Sequence, residues 1–408
     1  MTDALKPLAG LRVADFFWLI AGPASSRILA DFGAEVIKIE SEEREDQIRN
    51  AGVWPPDSTR RPTSPNAVFV DCNTNKLSLT LNLNKPEAIE IAKEVVSISD
   101  VVTNNFTGER MDRWGLGYSD LVKVKPDIVM LSMPVMGTTG PYRSYGSNGL
   151  GVVSFGGINT SMGFTGRPPS GLGPLYSDFT TPYFALMAIM AALHHRDRTG
   201  EGQFIDLSQA QATVALLGAN VLEYTANGHI PERPGNRSRE YCPHGAYPCW
   251  GQERWCAITA TADAEWQALC DAIGRRDLSS DDGLATLPGR KVREDEIDAA
   301  IAAWTRERDA WAVMHYLQDR GVPAAVVEDL EDMVVRDPHL RTMHFRELSD
   351  ADGVAAYLAH GQPVRIDGEQ PSLSRPPLQG EHNEYVIKEL LGKSDEEYVR
   401  LLIDGVLH

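Results

Sequence analysis

The chain lacks any apolar run approaching the roughly 18 to 20 residues that a helix needs to cross a bilayer. No charged segment followed by a short apolar one opens it either, so neither a membrane span nor a secretory leader is expected and the cytosol is the expected compartment. Basic residues are the minority. The 57 acidic and 39 basic side chains leave a formal charge of −18, which argues against nucleic acid or an anionic membrane as partner. A locally basic pocket for an anionic ligand is compatible with that balance. Cysteine is scarce, with five residues at 72, 242, 249, 256 and 270, and an odd number fits reduced thiols better than a disulfide framework. Cys242, Cys249 and Cys256 recur every seven residues with His244 nearby, but no close cysteine pair exists. No metal site is expected there, and half-buried hairpin thiols account for the spacing.

A nucleotide fingerprint is missing as well. Leu11 to Phe16 reads as a short apolar strand, Pro23 to Phe32 as a helix and Ala34 to Glu40 as a second strand, a compact βαβ unit. Glu40 stands where a dinucleotide enzyme places its ribose acid. The connecting turn Trp18-Leu-Ile-Ala-Gly-Pro-Ala24 is not Gly-x-Gly-x-x-Gly, and the NAD reading is set aside on that ground.

What is present suits a two-domain α/β protein. The length allows a substantial core, and 42% apolar with 24% charged residues is ordinary for a globular chain. Residues 41–65 are charged and proline-rich and read as a surface loop, in which one of Arg44, Arg49, Arg60 and Arg61 is in a position to reach a phosphate if the run is more than a solvated face. Strands follow at 73–82, 100–106 and 127–133, with a helix from Pro86 to Ser97. Residues 149–173 hold eight glycines and read as loop. Farther on, residues 241–261 suit a hairpin turning at Gly251 to Arg254, with helices at 264–273, 294–308 and 310–320 and a strand at 323–327.

The most informative stretch is Tyr176-Ser-Asp-Phe-Thr-Thr-Pro182 running into eleven uncharged residues, Tyr183 to Leu193. A helix apolar on every side belongs in a core. Pro182 suits its first turn and Thr181 its N-cap, which puts Asp178 just ahead of the helix. Unpaired N–H groups and the positive end of the dipole then favour the ionised carboxylate. Position alone leaves two readings open. Asp178 is either a helper of the helix start, or a nucleophile for an activated carbonyl whose oxyanion the first-turn N–H groups stabilise.

Downstream, Ala191-Ala-Leu-His-His-Arg-Asp-Arg-Thr-Gly-Glu-Gly-Gln203 reads as a helix end and a glycine turn leading to a short strand. Together with Asp178, Ala21-Gly-Pro23, the run Leu29 to Glu40, and Gly140-Pro-Tyr142, it resembles the family III CoA-transferases. The resemblance implies an α/β fold with a Rossmann-like large domain and a smaller α/β domain, in chains that pair as an interlocked dimer. It divides the chain into a CoA-binding domain over 1–208, a linker over 209–238, a small domain over 239–335, and a segment over 336–408 that returns to the large domain. It further implies that CoA moves from an acyl-CoA donor to a free carboxylic acid through an anhydride and a CoA thioester on Asp178. CoA is then a substrate and no prosthetic group is needed. By matching position Lys76, Asn105, Phe106 and Arg113 are implied CoA contacts, while on their own Lys76 also reads as a solvated strand end and Arg113 as a partner for Trp114.

Departures from the family pattern bear on the substrate. Trp18 and Ile20, Ser41 and Leu77 stand where formyl-CoA transferase-like members carry polar anchors, which argues against an oxalate-type acid. Gly146-Ser-Asn148 lacks the histidine of the related racemases, so that reading loses its second acid/base. The segment His244-Gly-Ala-Tyr247 is the nearest match to the family's mobile glycine-rich loop. The opening turn and the Asn-Phe-Thr and Arg-Trp-Gly segments are similar to the benzylsuccinate CoA-transferase branch. That likeness implies a succinyl-CoA donor, a bulky or aromatic acceptor acid, and either a homodimer or a heteromer with a related subunit. A catalytically quiet subunit of such a heteromer is the alternative.

Overall fold

Near-continuous apolar runs such as Val36-Ile-Lys-Ile39 and Val129-Met-Leu131 form strands covered on both faces, as a parallel sheet requires. The structure, a computed structural model, describes residues 5–50, 66–173, 175–349 and 356–408. It divides into two compact units, one of Met1–Thr160, Ser170–Pro231 and His344–His408, the other of Ser161–Pro169 and Glu232–Met343. No helix among the described residues is long and apolar enough to cross a membrane.

The larger unit is built on six strands, β1 (Arg12–Phe16), β2 (Glu35–Glu40), β3 (Leu77–Thr80), β4 (Val101–Asn104), β5 (Val129–Ser132) and β6 (Phe204–Asp206). All pair in parallel, in the order β3-β2-β1-β4-β5-β6. The winding reverses between β1 and β4, and in such sheets a crevice opens at the carboxyl ends of the two strands flanking the reversal. Phe16 lies opposite Asn104 at that end, so the Trp18 turn and the Asn105-Phe106 pair leave the sheet side by side.

The faces are closed by different segments. On one, Ile91 and Val95 of the Pro86–Ser97 helix meet Ile37, Leu79 and the carboxy-terminal Val386, Ile387 and Leu401. On the other, Leu29, Ala185, Ile189 and Leu193 cover Val36, Val101 and Leu131. The Ala21–Asp31 helix is buried at all eleven positions. Gly22 permits this, because a Cβ there would collide with the Phe17 ring.

The long helix differs from the sequence expectation in two ways. It begins at Tyr176, not near Thr181, and runs 24 residues to Thr199 with Pro182 inside it. Pro182 removes one N–H, the one that would reach the Asp178 carbonyl, and packing of the remaining turns carries that loss. Nor is the helix buried all round. Ala185, Ile189, Ala192 and Leu193 face the core, while Phe179, Tyr183, Met187 and Met190 form an exposed stripe at helical spacing. Gly200 ends it at φ +76°, donating to the Arg196 carbonyl at 2.7 Å.

Residues 149–173 hold more order than their glycines imply. Asn148 accepts from the Gly151 N–H at 3.1 Å and caps a Gly149–Phe155 helix that buries Val152 and Val153. A hairpin of Phe345–Ser349 with Ala356–His360 was not legible in the sequence.

In the smaller unit β7 (His244–Pro248), β8 (Trp255–Thr259) and β9 (Ala324–Val327) form an antiparallel sheet in the order β7-β8-β9. Gly251 turns the hairpin at φ +109°. Trp266, Ile297, Ile301, Val313 and Leu317 pack with it. Cys242, Cys249, Cys256 and Cys270 lie fully inside this core, not half-buried, and burial pushes the Cys256 thiol up to about 12.

Candidate active site

The crevice at the carboxyl ends of the larger unit's strands opens into a pocket of about 760 Å³. Trp18, Leu19 and Ile20 enter it after β1, Ser41, Arg44, Glu45 and Gln47 after β2, Leu81 to Asn84 after β3, and Asn105 and Phe106 after β4. Leu175 and Asp178 reach it from the start of the long helix.

Asp178 is 9% exposed and lies in the first turn of the helix, its own N–H donating to the Leu175 carbonyl at 3.0 Å. Burial pushes its carboxyl up to about 6, and no cation among the described residues offsets it. The carboxylate is therefore mostly ionised at neutral pH, but poorly solvated. The helix start thus holds a carboxylate that is ionised at neutral pH yet raised from its ordinary range by burial.

An aromatic row lines the adjoining wall. Phe106 meets Trp18 edge to face at 5.7 Å between centroids and Trp114 at 5.4 Å. The Trp18 indole N–H reaches the Ile39 carbonyl at 3.4 Å. Asn105 holds the Trp18 backbone at both ends, donating to its carbonyl at 2.7 Å and accepting from its N–H at 3.1 Å.

Of the positions implied by the resemblance, Asp178, Asn105 and Phe106 come together in this pocket. Lys76 does not. Its side chain is wholly buried, and its ammonium donates to the Pro23 carbonyl at 2.9 Å, Ser26 Oγ at 2.8 Å, Asn73 Oδ1 at 3.1 Å and Asp15 Oδ2 at 3.2 Å. Burial pulls it down to about 8 despite Asp15, and it acts as an internal cation, a correction to its reading as a phosphate contact. Arg113 is exposed on the short Arg110–Arg113 helix and is not part of the lining. Arg110 at the start of that turn is, with its guanidinium 5.6 Å from the Trp114 ring. Arg44 is the other arginine of the lining among the described residues. Arg49 is committed elsewhere, to both oxygens of Glu40 at 2.6 and 2.7 Å, while Arg60 and Arg61 lie outside the described residues. Burial disfavours the charge of Glu40, yet Arg49 and Ser78 hold its carboxyl below the ordinary range.

Gly146-Ser-Asn148 contributes to the lining, and no histidine does among the described residues. His244-Gly-Ala-Tyr247 forms part of strand β7 in the other unit.

The fold has counterparts among known proteins. A crystal structure of a CAIB/BAIF family protein from Brucella suis superposes with a TM-score of 0.86 at 29% identity, covering 94% of this chain and 99% of that one. Succinyl-CoA–D-citramalate CoA-transferase of Chloroflexus aurantiacus is 32% identical over 98% of both chains. The β subunit of succinyl-CoA–L-malate CoA-transferase from the same organism is 30% identical over 97% of both. The family model of CoA-transferase family III matches residues 8–383. The chain belongs to CoA-transferase family III.

Proposed function

We propose that this protein moves CoA from succinyl-CoA to a small carboxylic acid, with Asp178 as the nucleophile. One observation carries the reading within the family's chemistry: a buried carboxylate, its charge disfavoured by loss of water, lines a pocket at the sheet's switch point together with an aliphatic wall and two arginines. A carboxylate oxygen of Asp178 attacks the thioester carbonyl, the C–S bond breaks, and the CoA thiolate leaves a mixed anhydride. The thiolate then attacks the Asp178 side of that anhydride, releasing the donor's acid and forming the aspartyl-CoA thioester. The acceptor carboxylate repeats the two steps in reverse. Poor solvation of Asp178 favours its attack, and exclusion of water protects the anhydride from hydrolysis.

Arg44 and Arg110 supply positive charge for the phosphates of CoA, with exposed Arg113 one turn beyond, and Phe106 and Trp114 offer apolar surface for its adenine. Trp18, Leu19 and Ile20 suit the carbon skeleton of the acyl group. The two relatives are named for succinyl-CoA and for the hydroxydicarboxylic acids D-citramalate and L-malate, which favours an acid of that size as acceptor. The bulkier, aromatic acceptor implied by the benzylsuccinate-like motifs is the alternative. Transfer assays with succinyl-CoA against malate, citramalate and benzylsuccinate decide between them, and no transfer to any carboxylic acid contradicts the reading.

A second copy of the chain is proposed to cover the exposed stripe Phe179, Tyr183, Met187 and Met190 together with the Gly218–Asn227 helix. That helix has no buried residue and exposes Val221, Leu222 and Tyr224. A related subunit in place of the second copy is the heteromeric alternative, favoured by the relative named as a β subunit. Native mass measurement on the purified chain distinguishes a dimer from a monomer awaiting its partner.

A further inference from the structure

Leu19 is a non-glycine residue in the left-handed region, at φ +67°, and it is 45% exposed where it enters the pocket. A branched side chain holds such a backbone only when its surroundings over-determine it. Here they do. The Lys38 ammonium donates to the Phe17 carbonyl at 2.8 Å, the carboxamide of Asn105 takes both backbone groups of Trp18, and Asp46 Oδ1 accepts the Leu19 N–H at 3.0 Å. Asp46 Oδ2 meanwhile pairs with Lys38 at 2.9 Å, and both side chains are wholly buried.

Asp46 comes from the acidic segment that reads in sequence as a solvated loop. Its neighbours Arg44 and Glu45 line the same pocket. The buried pair therefore ties two walls together, the aliphatic turn after β1 and the arginine-bearing segment after β2. A buried ion pair is weak as a source of stability, so a role in fixing one conformation accounts better for its place here.

We propose that Lys38 and Asp46 are positioning residues that lock the Trp18-Leu19-Ile20 turn, so that Leu19 forms the wall that sizes the acyl group presented to Asp178. The inference rests on the CoA-transferase reading above and assigns the acyl subsite within it. Acyl-CoAs with compact aliphatic acids fit against this wall, and those with a ring at the carbonyl meet Leu19.

The test reads binding, so it does not depend on turnover. Dissociation constants for succinyl-CoA and benzoyl-CoA are measured by calorimetry on the full chain, for the native protein, Asp46→Asn, Leu19→Gly and the double variant. The native protein is expected to favour succinyl-CoA. Asp46→Asn and Leu19→Gly should each relax that ratio by about tenfold. The double variant should relax it no further, because Asp46 acts on the ratio of the two ligands through Leu19. A general structural role instead weakens both ligands alike in Asp46→Asn and leaves the ratio unchanged, and that result overturns the proposal. So does an effect that adds to that of Leu19→Gly. If Asp46→Asn does not fold, Lys38→Met with Asp46→Leu replaces the pair by apolar side chains of similar volume and is held to the same ratio. Failure of the native protein to bind either acyl-CoA removes the functional reading and this inference with it, whereas binding without discrimination overturns the inference alone.

Discussion

Asn105 and Trp18 are joined by two hydrogen bonds, one to the Trp18 N–H at 3.1 Å and one from its side-chain amide to the Trp18 carbonyl at 2.7 Å. The carboxamide thus joins the carboxyl ends of β1 and β4 across the reversal in the sheet. Replacing it by alanine leaves two backbone groups without these partners and frees Trp18 from its place against Phe106. We expect Asn105→Ala to destabilise the fold by about 1–3 kcal/mol. The KM for the acyl-CoA should rise more than kcat falls, as steady-state kinetics on the folded variant will report.

Asp178 titrates within an accessible range. Its carboxyl is raised from 3.8 to about 6 by burial, so the folded chain binds this proton more tightly than the unfolded one. The sign follows. The cost of keeping Asp178 charged is absent below about pH 4, grows across the interval, and is complete above about pH 6. Attack requires the ionised form, and kcat/KM for the acyl-CoA should fall about tenfold per pH unit below that value. A profile flat down to pH 5 contradicts the assignment.

The same shift separates the two roles open to Asp178. If the carboxylate served mainly as a cap, its loss would weaken the helix, whereas removing a desolvated charge should strengthen the protein. Asp178→Asn is expected to raise stability by up to about 3 kcal/mol above pH 7, with no gain near pH 4. Transfer should meanwhile drop by about a thousandfold or more. Paired denaturation curves at the two pH values check the first part and steady-state assays the second.

Lys76 offers a contrast. Its ammonium has four internal partners, and replacing it leaves Asp15 buried without its cation. Lys76→Met should cost about 3–5 kcal/mol of stability. In the protein that remains folded, the KM for the acyl-CoA should be unchanged. By contrast, Arg44→Ala and Arg110→Ala should leave stability nearly unaltered and raise that KM several-fold, more at low salt than at high.

Which parts of this were legible in the sequence follows from the range of the forces involved. The strands ending at Phe16 and Asn104 are marked by local apolar pattern, and the turn and the Asn105-Phe106 pair come with them. Asp178 is legible because an unusually long uncharged run follows it. The start of its helix is not, since Pro182 looks like a first-turn residue until tertiary packing is known to extend the helix back to Tyr176. The place of Lys76 depends on Asp15 and Ser26, whose positions beside it only the folded sheet creates. Asp46 sits in a charged run that looks solvated, and nothing in its neighbours reveals Lys38 beneath it. Arg110 rather than Arg113 lines the pocket, a choice that composition does not set.

The central claim is the covalent role of Asp178, and peptide mass spectrometry tests it most directly. The purified chain is incubated with succinyl-CoA, then treated with hydroxylamine, which converts an activated aspartyl group to a hydroxamate. The account predicts a mass change confined to the peptide that contains Asp178, present only when succinyl-CoA was added and absent in Asp178→Asn. Turnover of succinyl-CoA with that peptide unmodified, or a modification on another residue, would contradict it.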